Sequence, residues 1–139
     1  MNTKNLLTEN LEDYLETILG LQTLKTVARS KDIAEKLNIK RGSVTGMLKK
    51  LAESQLINYE PYGYVTLTPE GRKIAKDIES RHIFLRDFFH RILKVDMDTA
   101  DKTACKMEHA LDRQTYKKFK NFLKKVDACP HNDIKPCMD

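Results

Sequence analysis

The sequence predicts a mainly α-helical protein, in which an N-terminal winged helix-turn-helix is followed by an all-helical domain. Two short amphipathic segments flank a turn-prone break at residues 38–42. Two strand-like runs joined by Pro and Gly come next, and three longer segments with apolar residues at helical spacing complete the chain. We therefore predict domains at residues 1–72 and 73–127, with a flexible tail at residues 128–139.

The composition is that of an ordinary soluble protein with unevenly distributed charge. The chain has 139 residues, of which 40% are hydrophobic and 32% are charged, and a formal net charge of +5. No apolar run is long enough to cross a bilayer and no secretory signal is visible, so we expect a cytoplasmic protein without a disulfide framework. Residues 29–54 carry seven Lys and Arg against three Asp and Glu, which favours a polyanionic partner.

The N-terminal domain is predicted element by element. Apolar residues at a period near 3.6 indicate a first helix over residues 6–23. Ser30 is a good N-cap for a short helix ending at Leu37. A second helix opens at Ser43 or Arg41 and runs to about residue 54, and its buried residues are Val44, Leu48 and Leu51. Strands at 56–59 and 64–67 then occupy the position of a wing. This arrangement, with a basic second helix, is typical of a helix that enters the DNA major groove.

Candidate DNA contacts lie on that second helix and at the tip of the wing. Arg41 is expected to read guanine, because arginine pairs with two acceptors on that base. The lysines are expected to contact phosphates, and Gly42 and Gly46 leave room for readout of DNA shape. The predicted set is Lys40, Arg41, Ser43, Thr45, Lys49, Lys50 and Tyr62. The alternative is a small α+β domain that binds no DNA.

Three helices are predicted in the second domain. The first spans residues 68–93, with Thr68 as its cap and Pro69 at its first position. The second spans residues 99–111, with Met107 among its buried residues, and the third spans about residues 113–126. These helices are too few to enclose their own core, so we expect a homodimer.

Cys105, Glu108 and His109 form the most specific pattern in this domain. On a helix, the spacing i, i+3, i+4 places a thiolate, a carboxylate and an imidazole on one face. That donor set suits a borderline divalent transition metal. The alternative is an amphipathic helix with one half-buried Cys and two solvated polar residues.

Other candidate ligands are ambiguous on their own. Asp13 and Glu16 lie three residues apart, a spacing that is also typical of a solvated helix face. His82 falls within an apolar stripe, where a hydrogen-bonded core histidine is the commoner case. The tail carries Cys129, His131 and Cys137. Such residues either capture a metal, form a disulfide on oxidation, or are incidental.

Together these features resemble the metal-dependent repressors of the diphtheria toxin repressor and manganese transport regulator family. The resemblance rests on four segments in order: Glu12-Asp13-Tyr14-Leu15-Glu16, the winged helix, Ser80-Arg81-His82, and Cys105-x-x-Glu108-His109. It implies an operator-binding repressor of metal-uptake genes that dimerises through its C-terminal helices. The metal ligands it implies are Asp13, Glu16, His82, Cys105, Glu108 and His109. We expect the two-domain form, without the SH3-like domain of the iron branch.

The chain departs from the family pattern at three positions. Arg86 stands where members usually carry a Glu that serves a second metal, and Asp101 stands where the iron branch has a His. Asp13 resembles the manganese branch, whereas Cys105 resembles the iron branch. Thiolate favours Fe²⁺ over Mn²⁺, whereas the carboxylates favour Mn²⁺. We give the thiolate more weight and rank Fe²⁺ ahead of Mn²⁺. We also expect Zn²⁺, Co²⁺ or Ni²⁺ to substitute in vitro.

The resemblance implies that metal ties the winged helix to the dimer core and so sets the separation of the two reading helices. A rival interpretation is a metal-independent winged-helix regulator with a thiol switch at Cys105 or at the Cys129 and Cys137 pair. An enzyme is a further alternative, because an open metal position can activate water. We expect no enzyme, since the sequence has no nucleophile elbow or phosphate-binding loop.

Overall fold

The computed structural model describes residues 8–60 and 63–127. These fall into two compact units that divide between Phe84 and Leu85, here the N-terminal and C-terminal units. The elements are α1 (Glu9–Lys25), β1 (Ala28–Arg29), α2 (Ser30–Leu37), α3 (Arg41–Glu53), β2 (Ile57–Glu60), β3 (Tyr64–Leu67), α4 (Pro69–Asp87), a π-helical turn (Phe88–Ile92), α5 (Met97–Met107) and α6 (Arg113–Asp127). The predicted fold class is confirmed. Across the described residues, no helix has the length and apolar character needed to span a membrane.

The core of the N-terminal unit is assembled by α1, α2, α3 and the sheet. Helix α1 begins at a capping Thr8, whose hydroxyl accepts a hydrogen bond from the Leu11 amide at 3.4 Å. Its apolar residues pack with those of α2, α3 and β3 in one cluster. The fully buried side chains of this cluster include Leu15, Ile18, Ile33, Val44, Leu48, Leu51 and Val65. Each stabilises the fold by about 1.5–3 kcal/mol relative to an exposed position.

The predicted hairpin is part of a three-stranded antiparallel sheet in the order β1-β3-β2. Strands β2 and β3 pair with Ile57 opposite Leu67 and Glu60 opposite Tyr64. Strand β1 was not predicted, because two residues are too short to show a period. Its presence also corrects the cap of α2: Arg29 is the N-cap, and the amide of Ser30 donates to the Gly63 carbonyl at 3.2 Å.

Helix α4 begins as predicted, with Thr68 as its cap. The Thr68 hydroxyl accepts from the Gly71 amide at 3.1 Å and donates to the Gln55 carbonyl at 2.8 Å. At Gly71 a β-carbon would overlap the carbonyl oxygen of Leu56. Helix α4 can therefore lie this close to the Leu56 backbone only because residue 71 is glycine. The predicted helix to residue 93 ends in the π-helical turn.

The predicted helix over residues 99–111 is wrong at both ends. The N-cap is Asp96, whose carboxylate accepts from the Thr99 amide at 3.0 Å, so α5 begins two residues early. It ends at Met107, and the next helix is capped by Asp112, which accepts from the Thr115 amide at 2.8 Å and the Thr115 hydroxyl at 2.7 Å. Glu108 to Ala110 therefore form a turn.

The C-terminal unit packs few side chains completely. Ala100, Ala104 and Tyr116 are buried, and the rings of Phe88 and Phe119 meet edge to face with centroids 5.0 Å apart. Met107 was expected to be buried but is 44% exposed. The other large exposed apolar side chains of this unit are Leu93, Met97 and Phe122.

Candidate nucleic-acid interface and metal centre

The exposed face of α3 carries the predicted DNA contacts. Val44, Leu48 and Leu51 are fully buried, and this spacing turns the opposite face of the helix to solvent. The exposed predicted residues are Lys40, Arg41, Ser43, Lys49 and Lys50, and Thr45 is half-buried.

The basic side chains on this face are available for a partner. Within residues 8–60 and 63–127, no ion pair engages Lys40, Lys49 or Lys50. A β-carbon at Gly42 or Gly46 would meet no atom within 4 Å. The helix surface between the cations therefore carries no bulky side chain at these two positions, which suits close approach of a DNA backbone.

The wing side of the domain adds two side chains that sequence reasoning did not select. The Arg29 guanidinium donates to the Tyr64 hydroxyl at 3.3 Å and lies 5.1 Å from the centre of its ring. Both residues are exposed. Arg29 belongs to the basic run of residues 29–54 and could have been selected on that ground. Tyr62, the predicted contact at the tip, lies outside the described residues.

The candidate ligands of the N-terminal unit lie on α1 and α4. Asp13 and Glu16 are neighbours on α1, one turn apart, and both are half-buried. His82 is half-buried on α4. None of the three is fully exposed to solvent.

The C-terminal unit brings together its three predicted ligands where α5 ends. Glu108 keeps helical backbone angles and its amide donates to the Ala104 carbonyl at 2.9 Å, so it stays one turn above Ala104 although α5 ends at Met107. The candidate ligand atoms of Cys105 and Glu108 lie within 4.8 Å of each other. The Glu108 carboxylate lies 3.3 Å from Nε2 of His109.

Burial distinguishes these three residues. Cys105 is exposed, the His109 side chain is 5% exposed, and Glu108 has no exposed surface. The interpretation with two solvated polar residues is therefore wrong. A carboxylate removed from water is costly unless positive charge and hydrogen bonds compensate it. A divalent cation supplies such charge, and the sulfur, oxygen and nitrogen donors are of the kinds that transition metals bind.

Of the positions that depart from the family pattern, Arg86 cannot serve as a ligand for a second ion. The Arg86 guanidinium donates to the Asp87 carboxylate at 3.3 Å, and arginine has no lone pair for a metal. Asp101 is exposed on α5. The tail candidates Cys129, His131 and Cys137 lie outside the described residues.

Comparison with known proteins agrees with both halves of this geometry. Residues 6–65 match the family model described as "Iron dependent repressor, N-terminal DNA binding domain". Residues 68–137 match "Iron dependent repressor, metal binding and dimerisation domain".

Three individual proteins illustrate the similarity. An uncharacterised HTH-type transcriptional regulator of Methanocaldococcus jannaschii is 38% identical over 120 residues, which is 86% of this chain and 96% of that protein. The HTH-type transcriptional regulator MntR of Bacillus pumilus is 40% identical over 104 residues, 75% of this chain and 72% of its own length. A solved structure of a manganese-dependent transcriptional repressor in complex with manganese has a TM-score of 0.75 at 28% identity. That likeness covers 82% of this chain but only 52% of the solved one.

Proposed function

The chain belongs to the iron-dependent repressor family of metal-dependent, DNA-binding transcriptional regulators, and from that premise we propose that it represses metal-uptake genes when Fe²⁺ or Mn²⁺ binds. The observation that carries the proposal is the fully buried carboxylate of Glu108 beside His109 and Cys105. Such a carboxylate, in a domain matched to metal binding, is well suited to a cation.

We propose Asp13, Glu16, His82, Cys105, Glu108 and His109 as the metal ligands. When bound, the metal supplies concentrated positive charge and fixes the orientation of its donors. The set takes three residues from the N-terminal unit and three from the C-terminal unit. Binding would therefore restrain the reading helices of a dimer at a separation that matches successive turns of DNA, near 34 Å. A coupling of about 1–3 kcal/mol changes DNA affinity by about 5–150-fold.

We base the proposed identity of the metal on the chemistry of the donors. The Cys105 thiolate favours Fe²⁺, and the carboxylates of Asp13, Glu16 and Glu108 favour Mn²⁺. The family model is named for iron, while the similar solved structure contains manganese. We rank Fe²⁺ first, and expect Zn²⁺, Co²⁺ and Ni²⁺ to bind in vitro because affinity follows the Irving–Williams order.

Operator DNA and a second copy of the chain are the proposed partners. Lys40, Lys49 and Lys50 would contact phosphates and Arg41 a guanine, with Ser43, Thr45 and Tyr62 completing the contact set. The large exposed apolar side chains of the C-terminal unit would be covered by the same unit of a second copy. Such a regulator acts on the chromosome in the cytoplasm.

The proposal is tested by anaerobic fluorescence anisotropy with a duplex from the protein's own promoter. The protein is chelated first, and Fe²⁺, Mn²⁺ or Zn²⁺ is then restored. Glu108→Gln removes one charge with little change of shape and should abolish the metal-induced increase in affinity. Asp98→Asn is the matched control, because Asp98 is an exposed carboxylate on α5 whose only described partner is Lys102 at 2.7 Å. Equal binding with and without metal would refute gating.

A thiol switch is the second candidate, because Cys105 is exposed and accessible to oxidants. It predicts DNA binding that survives chelation and is lost with peroxide, and loss of that response in Cys105→Ser. Metal gating predicts the opposite result in the chelated sample. The two functions are therefore separated by one titration.

A further inference from the structure

Helix α6 has a cationic face that the proposed function does not use. Residues 113–126 contain six Lys and Arg and no Asp or Glu. At 3.6 residues per turn, four of these cations fall on one narrow line along the helix. We call them the α6 stripe: Arg113, Lys117, Lys120 and Lys124.

The α6 stripe points to solvent. Tyr116 and Phe119 pack within the unit, and the stripe runs along the border of that apolar side. Three members of the stripe are exposed, and the fourth, Lys120, is held with its ammonium 4.6 Å from the centre of the Tyr116 ring. In the described part of the chain, no ion pair engages any of the four.

Helices α4 and α5 pair several of their surface charges. In α4, Lys76 lies 3.4 Å from Glu79, and Arg81 lies 3.6 Å from Asp77. In α5, Lys102 is paired with Asp98. In α6 the neighbours at i+3 and i+4 along the stripe are all of like charge, an arrangement that destabilises a helix. A counter-charge from outside the chain would remove that repulsion.

The length and spacing of the α6 stripe fit a nucleic-acid strand. Eleven residues separate its ends, which corresponds to about 16 Å at a rise of 1.5 Å per residue. One DNA strand carries a phosphate about every 3.4 Å along the helix axis. A strand lying along α6 would therefore present several phosphates to four cations.

We propose that the α6 stripe is a second DNA-binding surface, which contacts phosphates without reading sequence and adds to the affinity supplied by α3. The proposal rests on the DNA-binding function of the family. It commits to DNA because the family model that matches the N-terminal unit is a DNA-binding domain, and DNA is a polyanion. A regular line of cations is complementary in charge to a regular line of phosphates.

The test compares two double variants, each of which removes two positive charges. Lys117→Gln with Lys124→Gln neutralises half of the α6 stripe. Arg72→Gln with Lys73→Gln is the control, because these exposed residues of α4 lie on the N-terminal unit away from the stripe in sequence. Each metal-saturated protein is titrated with the promoter duplex and with a scrambled duplex of equal length, between 50 and 200 mM salt.

We expect the α6 variant to lower affinity about tenfold on both duplexes and to reduce the slope of log K against log salt by about 1–2, since each phosphate contact contributes about 0.9. The control should change the slope by less than about half a unit. Lys117→Arg with Lys124→Arg keeps the charge and should bind as wild type does, which would show that the positive charge is what these positions supply.

Equal slopes for the α6 variant and the α4 control would overturn the proposal. So would a loss confined to dimerisation, which would assign the stripe to a protein partner. If wild-type protein shows metal-gated binding while the α6 variant matches its control, only this inference fails. If wild-type protein binds neither duplex, the proposed function itself fails.

Discussion

The two units of the chain bury their apolar side chains to very different extents. In the N-terminal unit, α1, α2, α3 and the sheet close around one continuous core. In the C-terminal unit, two of the buried apolar residues are alanines, while Leu93, Met97, Met107 and Phe122 remain exposed. The N-terminal unit also exposes large apolar side chains, among them Leu24 and Ile83, but it has a core that the described part of the C-terminal unit does not match. We infer that a further surface, such as a second copy of the chain, adds stability to the C-terminal unit.

The largest expected effect tests the N-terminal core. Leu48→Ala removes a fully buried side chain from α3 and should lower the free energy of unfolding by about 2–5 kcal/mol. Leu24→Ala is the control, because Leu24 is 74% exposed and should lose almost nothing. Urea titration followed by circular dichroism measures both. Similar losses in the two variants would contradict the core described here.

A smaller loss of stability is expected at Gly71, where α4 lies against the carbonyl group of Leu56. Gly71→Ala places a methyl group on the Leu56 carbonyl oxygen and should destabilise the unit by about 1–3 kcal/mol. Gly46→Ala is the matched control in α3, where a β-carbon meets nothing within 4 Å. That control should stabilise the helix by up to about 1 kcal/mol. Stabilisation by Gly71→Ala in the same urea titration would refute the contact.

The dependence of the C-terminal unit on a second copy is tested at Phe122, which is 46% exposed. Phe122→Ser should weaken self-association about tenfold, equivalent to about 1.4 kcal/mol. Leu24→Ser removes a comparable exposed apolar side chain from the N-terminal unit and should leave association unchanged. Sedimentation equilibrium gives both dissociation constants. An effect from Leu24→Ser alone would reverse the assignment of the interface.

The smallest effect concerns the cap of α6. Hydrogen bonds from the hydroxyl and amide of Thr115 hold the pKa of Asp112 below its ordinary value. A pKa lowered by folding means that this stabilisation is present above the ordinary value near 3.9 and is lost as the pH falls below it. Asp112→Asn keeps a capping side chain but removes the titration. The variant should therefore lose less stability than wild type between pH 5 and pH 3, as measured by urea midpoints.

Much of the fold was predictable because local signals agreed with one another. Thr68 and Pro69 identified the start of α4, and the spacing of Val44, Leu48 and Leu51 identified the buried side of α3. The prediction failed at Ser30 and at the ends of α5. At Ser30 the backbone pairs with Gly63, and at α5 the carboxylates of Asp96 and Asp112 set the boundaries.

The candidate metal centre was predictable in residue types and spacing, but not in burial. The spacing i, i+3, i+4 predicted that Cys105, Glu108 and His109 would lie together, and the Glu108 carboxylate does lie near the ligand atoms of the other two. Local periodicity could not anticipate that Glu108 would be completely buried while Cys105 stays exposed. Burial depends on the packing around the turn, which the period of a single helix does not encode.

The sequence by itself determined the order of the helices and of the two hairpin strands, the basic face of α3 and the chemical kinds of donor at the candidate metal centre. These follow from periodicity and residue type, which act over a few neighbouring positions. Only the tertiary structure decided the pairing of β1 with β3, the need for glycine at position 71 and the burial of Glu108. Each of these depends on a contact between segments that approach only after the chain has folded, so no local pattern encodes it.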